Sequence, residues 1–143
     1  MEIIELNTKS EMLKSYELLL ELYPDLVYKD FANQLDVMIP NNYSMIAISD
    51  NNNIIALAGI WIGNKLWCGK YLELDHVVVS AGGRSRGLGT KLINYAKSIA
   101  KKLDCSSLGL DSFTHNHASH KLFYREGFIA KGFHFVCEID SNV

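Results

Sequence analysis

Two prolines and three cysteines in 143 residues set the first limits on this chain. Pro24 and Pro40 each follow an amphipathic stretch, where a proline stops a helix. Cys68, Cys105 and Cys137 are widely spaced, include no Cys-x-x-Cys pair and are odd in number, so a disulfide framework is not expected. They read as reduced thiols of a cytoplasmic protein. No apolar run approaches the length of a membrane span, and the opening Met1-Glu2-Ile3-Ile4-Glu5 is acidic, unlike a secretory leader. No membrane partner is therefore expected. A net charge of −2 gives no sign of bulk nucleic-acid binding and slightly favours a cationic substrate. Repeats, low-complexity runs and interdomain linkers are also missing, which leaves one domain over residues 1–143. With 48% hydrophobic and 21% charged residues, that domain can build a real core.

The apolar pattern gives the elements in order. Residues 2–6 suggest a strand. Residues 10–23 carry Met12, Tyr16, Leu19, Leu20 and Tyr23 at helical spacing, with Ser10 as the expected N-cap. A second helix is expected over residues 29–38, with Phe31, Leu35 and Met38 on one face. Strands follow over residues 43–49 and 54–62, joined by an asparagine-rich hairpin, with Gly59 a candidate bulge. Gly63-Asn64-Lys65 is expected to turn the chain into a central strand over residues 66–79. Hairpin-linked strands in sequence suggest an antiparallel meander. A long helix over residues 87–103 keeps Leu88, Leu92, Tyr95, Ala96, Ile99 and Leu103 in one stripe. A strand over residues 106–110 then makes a strand–helix–strand unit, hence a parallel pair. A helix over residues 116–126 is closed by Gly127, and strand segments are expected over residues 128–130 and 133–139. The fold class is α/β (α+β), with a mixed, mostly antiparallel central sheet flanked by about four helices.

Chemistry concentrates between residues 72 and 92. The apolar Val77-Val78-Val79 reads as a buried strand, Ala81-Gly82-Gly83 breaks it, and Arg84-Ser85-Arg86-Gly87-Leu88-Gly89-Thr90 opens the long helix. The first amides of a helix lack internal partners, and the helix dipole makes that end positive. Glycines admit a phosphate to the backbone and arginines add forked donors, so the stretch can cradle a pyrophosphate. It is not a Walker A loop, because Leu88 follows Gly87 where a lysine is needed. Nor is it the dinucleotide fingerprint, which needs a third glycine or alanine where Leu92 stands. It does fit Arg/Gln-x-x-Gly-x-Gly/Ala through Arg84, Gly87 and Gly89. Here the chain resembles the GNAT superfamily of acyl-CoA-dependent N-acyltransferases. The segment from Asn116 to Phe128 resembles that family's second signature, with Asn116, Gly127 and Phe128 in register and Ser119 at a small position. The element order agrees over nearly the whole chain.

The resemblance implies an acetyl-CoA-dependent N-acetyltransferase acting on a primary amine by direct attack on the thioester. Arg84, Ser85, Arg86, Gly87, Leu88, Gly89 and Thr90 would bind the coenzyme A pyrophosphate, with Asn116 contributing. Val77 and Val79 would offer backbone bonds to the pantetheine arm. The oxyanion would meet a strand N–H. A base must free the amine, and Glu73 and Asp75, two apart on the central strand and so on one face, are the candidates. Asp75 matches the position where the family often carries a glutamate, although solvated or salt-bridged carboxylates would look the same. The family's acidic tyrosine falls on Phe123, and Tyr124 comes one residue later, about 100° around a regular helix. Tyr124 could serve if the helix were wound differently before Gly127, or the thiolate could leave with a solvent proton. That substitution also keeps open an acyl-CoA-binding sensor or interaction protein on the same fold.

His115, His117 and His120 form a loose cluster without a carboxylate or thiol in a known ligand pattern, so no metal is expected. Trp61 and Trp67 read as packing residues, and Asp111 as an exposed strand-end carboxylate. The expected partner is a small-molecule or peptide amine. A homodimer is a reasonable default.

Overall fold

The computed structural model describes residues 1–140. They fall into two compact units, Met1–Leu110 and the residues after Leu110. The first unit is a five-stranded sheet in the order β1-β2-β3-β4-β5 with four helices. Its strands are β1 (Glu2–Leu6), β2 (Tyr43–Asp50), β3 (Asn53–Lys65), β4 (Gly69–Val79) and β5 (Ser107–Leu110). The first three pairings are antiparallel and β4/β5 is parallel. The β2–β3 hairpin closes through Asn51 and Asn52, both left-handed at φ 50° and 66°, as a two-residue turn between right-twisted strands requires.

The expected helix over residues 10–23 is two short helices, α1 (Lys9–Leu13) and α2 (Tyr16–Leu19). The cap is Thr8 rather than Ser10: Thr8 Oγ1 accepts from the Glu11 amide at 3.3 Å and donates to its carboxylate at 2.7 Å. The chain steps out of the helix at Ser15, a fully buried residue whose hydroxyl donates to the Met12 carbonyl at 2.6 Å. A serine hydroxyl that takes a backbone acceptor competes with the helix ladder. With α3 (Tyr28–Met38), these helices bury Met12, Leu18, Leu19, Phe31 and Leu35 against Leu6, Tyr43, Met45, Ala47, Leu57 and Val78. The long helix α4 (Leu88–Lys102) buries Leu88, Leu92, Ile93, Ala96 and Ala100. Each fully buried leucine or isoleucine contributes about 1.5–3 kcal/mol, so a charge at Leu92 would undo this packing.

Two further boundaries differ from the pattern. The β3–β4 turn lies at Leu66-Trp67-Cys68, not at Gly63-Asn64-Lys65, because β3 runs on in register to the Lys65–Gly69 pair. Trp67 is therefore 75% exposed at the turn and does not pack the sheet. The second unit holds α5 (His117–Arg125), while residues 128–140 form no strand. Their alternation supplies a pattern but no ladder partner, since their own unit contains no other strand among the described residues. Phe133, Phe135, Val136 and Ile139 are accordingly exposed.

Candidate active site

The site begins with a defect in β4. Leu57 pairs with Val78 and Gly59 with Asp75, so Ala58 alone faces both His76 and Val77. The extra residue belongs to β4, opposite Ala58, rather than to β3 at Gly59. His76 takes a left-handed conformation, φ 53°, which glycine normally fills at such a bulge. The bulge also shifts the parity of the strand. Glu73 and Asp75 lie opposite Trp61 and Gly59, on the face that carries α1–α3, and Val78 faces the same side three residues later.

A polar network fills the bend. The Asp75 carboxylate accepts from the His76 amide at 2.9 Å and from the Trp61 indole N–H at 3.2 Å. Its Oδ2 also lies 3.0 Å from His76 Nε2. The other ring nitrogen, Nδ1, is 2.7 Å from the Tyr23 hydroxyl, which reaches in from the chain after α2. Burial pushes His76 below the ordinary histidine value, and the charge of Asp75 pushes back. Burial, then the charge of Asp75, raises Tyr23. Tyr43 stands over the cluster, only 3% exposed, with no hydrogen-bond partner for its hydroxyl among the described residues. Burial first, then Asp75, holds that hydroxyl protonated.

Beyond the bulge the edge of β4 is open. The β4/β5 ladder stops at Leu74–Leu110, and residues 75–79, including Val77 and Val79, have no strand partner on that side among the described residues. The chain then passes through a single 3-10 turn, Ala81–Gly83, into α4. Gly83, part of the break expected after the strand, is also a close-packed position: a Cβ there would lie 2.8 Å from Leu88 Cδ1. Ser85 and Gly87 are left-handed at φ 65° and 72°. Alternation of that kind turns successive amides to one side, a concavity suited to anions. Gly87 is the N-cap of α4, no side chain caps it, and the first turn carries no acidic residue. A Cβ at Gly87 would meet nothing within 4 Å, so the approach to these amides is open. Arg84 lies 3.4 Å from the Glu21 carboxylate. The backbone from Ser85 into the first turn of α4 therefore has a conformation that suits an anion, and a coenzyme pyrophosphate fits the donors present.

In the second unit, Asn116 caps α5, its Oδ1 accepting from the Ser119 amide at 3.4 Å. The helix ends in a Schellman motif: the Gly127 amide donates to Tyr124 O at 3.2 Å and the Phe128 amide to Phe123 O at 3.0 Å. The Phe123 and Phe128 rings meet at 5.9 Å. The helix is α-helical throughout His117–Arg125, so its winding does not re-aim Tyr124, which is 60% exposed. His120 Nε2 is 2.9 Å from the Phe113 carbonyl, and His117 packs on His120 edge to face. Asp111 lies 3.4 Å from His134. No group of three or more metal-ligating side chains occurs among the described residues.

His76 and Tyr23 are the functional candidates that pattern reading missed. A histidine directly after Asp75 and ahead of Val77-Val78-Val79 was the available signal. Tyr23 gave none, since it reads as one more apolar position of a helical stripe.

No helix among the described residues is long and apolar enough to cross a membrane. The chain is 28% identical over 120 residues to an uncharacterized N-acetyltransferase, YhdJ, of Bacillus subtilis (strain 168), covering 83% of this chain and 84% of that protein. Its fold is similar to an acetyltransferase of Trypanosoma brucei, with TM-score 0.78, 23% identity, and 96% and 100% of the two chains covered. It is also similar to the aminoglycoside N-acetyltransferase AAC(6')-Iy in complex with CoA, with TM-score 0.84, 17% identity, and 96% and 93% covered. The family model for the acetyltransferase (GNAT) family matches residues 6–128. With a bulged, open-edged β4 leading into an uncapped glycine-rich helix start, and a family match over most of its length, this chain belongs to the GNAT acetyltransferase family.

Proposed function

We propose that the chain transfers an acetyl group from acetyl-CoA to a primary amine, which attacks the thioester directly. The observation that carries this reading is the juxtaposition of the uncapped α4 N-terminus with the unpaired edge of β4. Acetyl-CoA supplies the acetyl group as an activated thioester. The amides of Gly87, Leu88, Gly89 and Thr90 hold the pyrophosphate, with Arg84, Ser85 and Arg86 around it. Backbone groups of Val77 and Val79 extend the sheet along the pantetheine arm. A β4 amide at the bulge stabilises the oxyanion. The carboxylates of Asp75 and Glu73 favour the amine's approach and, directly or through a neighbour, its deprotonation.

Two measurements test this. Gly89→Val should abolish most coenzyme A binding in calorimetry while leaving the apo fold intact, because a side chain at the first turn blocks the backbone. Equal affinity in wild type and the folded variant would remove the cradle. Release of free thiol from acetyl-CoA with a panel of polyamines, aminoglycosides, amino acids and peptides should exceed hydrolysis for at least one amine. Tight coenzyme binding with no amine-dependent release would identify a sensor instead.

A further inference from the structure

We propose that Tyr23, His76 and Asp75 form a proton relay in which the Tyr23 hydroxyl takes the proton of the acceptor amine and passes its own to His76, with Asp75 orienting the ring; this device rests on the acetyl-transfer reading above.

The hydrogen bonds fix the direction of the relay. An ionised Asp75 only accepts, so His76 Nε2, at 3.0 Å, carries the ring proton. A neutral ring then has Nδ1 free to accept, and the Tyr23 hydroxyl 2.7 Å away must donate. The titratable groups facing the ring are Tyr23, from the chain after α2, Tyr43 of β2 and Asp75 of β4 itself. Burial keeps the ring neutral and ready to accept. Tyr23 is 40% exposed, so its hydroxyl is the end of the chain that an amine can reach. Asp75, already accepting from Trp61 and from the His76 amide, is committed as an anchor. His76 is held in a left-handed conformation that disfavours a branched side chain, and such outliers persist where the surroundings over-determine them.

The step balances. The amine nitrogen bonds to the thioester carbonyl carbon and becomes cationic. Its proton moves to Tyr23 Oη as the Tyr23 proton moves to His76 Nδ1. The imidazolium so formed is paired with Asp75. The tetrahedral adduct then collapses, the C–S bond breaks, and the thiolate takes a proton from solvent while His76 returns one. Tyr23 and His76 are catalytic residues in this scheme, and Asp75 is a positioning residue.

The test combines kinetics with imidazole ¹⁵N NMR. In wild type at neutral pH, His76 should show the Nε2–H tautomer. Tyr23→Phe and His76→Asn, the latter chosen because asparagine tolerates the left-handed backbone, should each lower kcat/KM for the amine by about 10²-fold with unchanged coenzyme A affinity. The double variant should be no slower than either single one, as expected of groups acting as a unit. Asp75→Asn should move the ring proton to Nδ1 and lower kcat with unchanged coenzyme A affinity. An Nδ1–H tautomer in wild type, or full amine turnover in Tyr23→Phe, overturns the relay while leaving the transferase reading intact. A wild-type chain that binds coenzyme A but acetylates no amine overturns the transferase reading, and the relay falls with it.

Discussion

Gly59 is the residue on which the polar cluster closes. A Cβ there would lie 2.7 Å from Tyr43 Oη, 2.9 Å from His76 Cδ2 and 3.1 Å from the Asp75 carbonyl oxygen. Two of those atoms belong to rings packed in the cluster and the third is backbone, so none can swing away cheaply. Gly59→Ala should therefore destabilise the fold by about 1–3 kcal/mol in a urea titration. It should also displace His76, seen as loss of the downfield imidazole proton bonded to Asp75. An alanine variant of wild-type stability with that resonance intact would show that the bulge has slack. The sequence marks Gly59 as a candidate bulge, but the extra residue lies on the facing strand β4. Val77-Val78-Val79 suits either face of a sheet, so nothing in it records that parity shifts between Leu74 and Val78.

At the scale of elements, α4 and the hairpin strands were legible because their periodicity is long and their turn residues specific. The loop before α4 was legible by motif. What the motif does not contain is the ion pair of Arg84 with Glu21, a residue far away in sequence on the turn after α2. On the proposed reading, this pair would compete with a phosphate for the guanidinium. Glu21→Gln should therefore tighten coenzyme A binding, and Arg84→Ala weaken it, each by no more than about fivefold, since the pair is solvent-exposed. Both effects should shrink in 0.5 M salt, roughly a regime where surface charges are screened within a few ångströms. An unchanged affinity in both variants at low salt would exclude Arg84 from the cradle. The helix α5 gives a second case. Its regular winding into the Schellman motif leaves Tyr124 without the distortion that would re-aim it. Tyr124→Phe should keep turnover within about threefold of wild type across pH, the thiolate leaving with a solvent proton because its pKa is already low, roughly that of a thiol. A large loss at saturating acetyl-CoA would restore Tyr124 as the acid. The terminal strands show the opposite limit of sequence reading. Alternation over residues 133–139 predicts a strand, but a strand exists only with a neighbour, and pattern does not supply one.

For the molecule as a whole, the buried histidine links stability to pH. The His76 ring is pushed below its ordinary value of 6.5 chiefly by burial, while the unfolded chain titrates near that value. Between the two pKa values the unfolded state binds more protons than the folded one, so stability rises with pH there. The contribution is fully present above the unfolded value and is lost as pH falls through the folded one. Asp75 opposes the shift, since its charge favours the imidazolium, so protonation weakens the fold without necessarily disrupting the cluster. The relay makes use of this balance. A ring that is neutral at working pH yet has a carboxylate at its far nitrogen can accept a proton briefly at small cost. The melting temperature of wild type should therefore decline from pH 7 toward pH 5 more steeply than that of His76→Asn, which has no titrating ring. The rate of amine acetylation should fall only at the lower end of that window, where the folded ring itself takes up a proton. Parallel stability curves for the two proteins between pH 7 and 5 would mean that His76 titrates alike in the folded and unfolded chains. In that case the cluster would fix the bulge without tuning the ring.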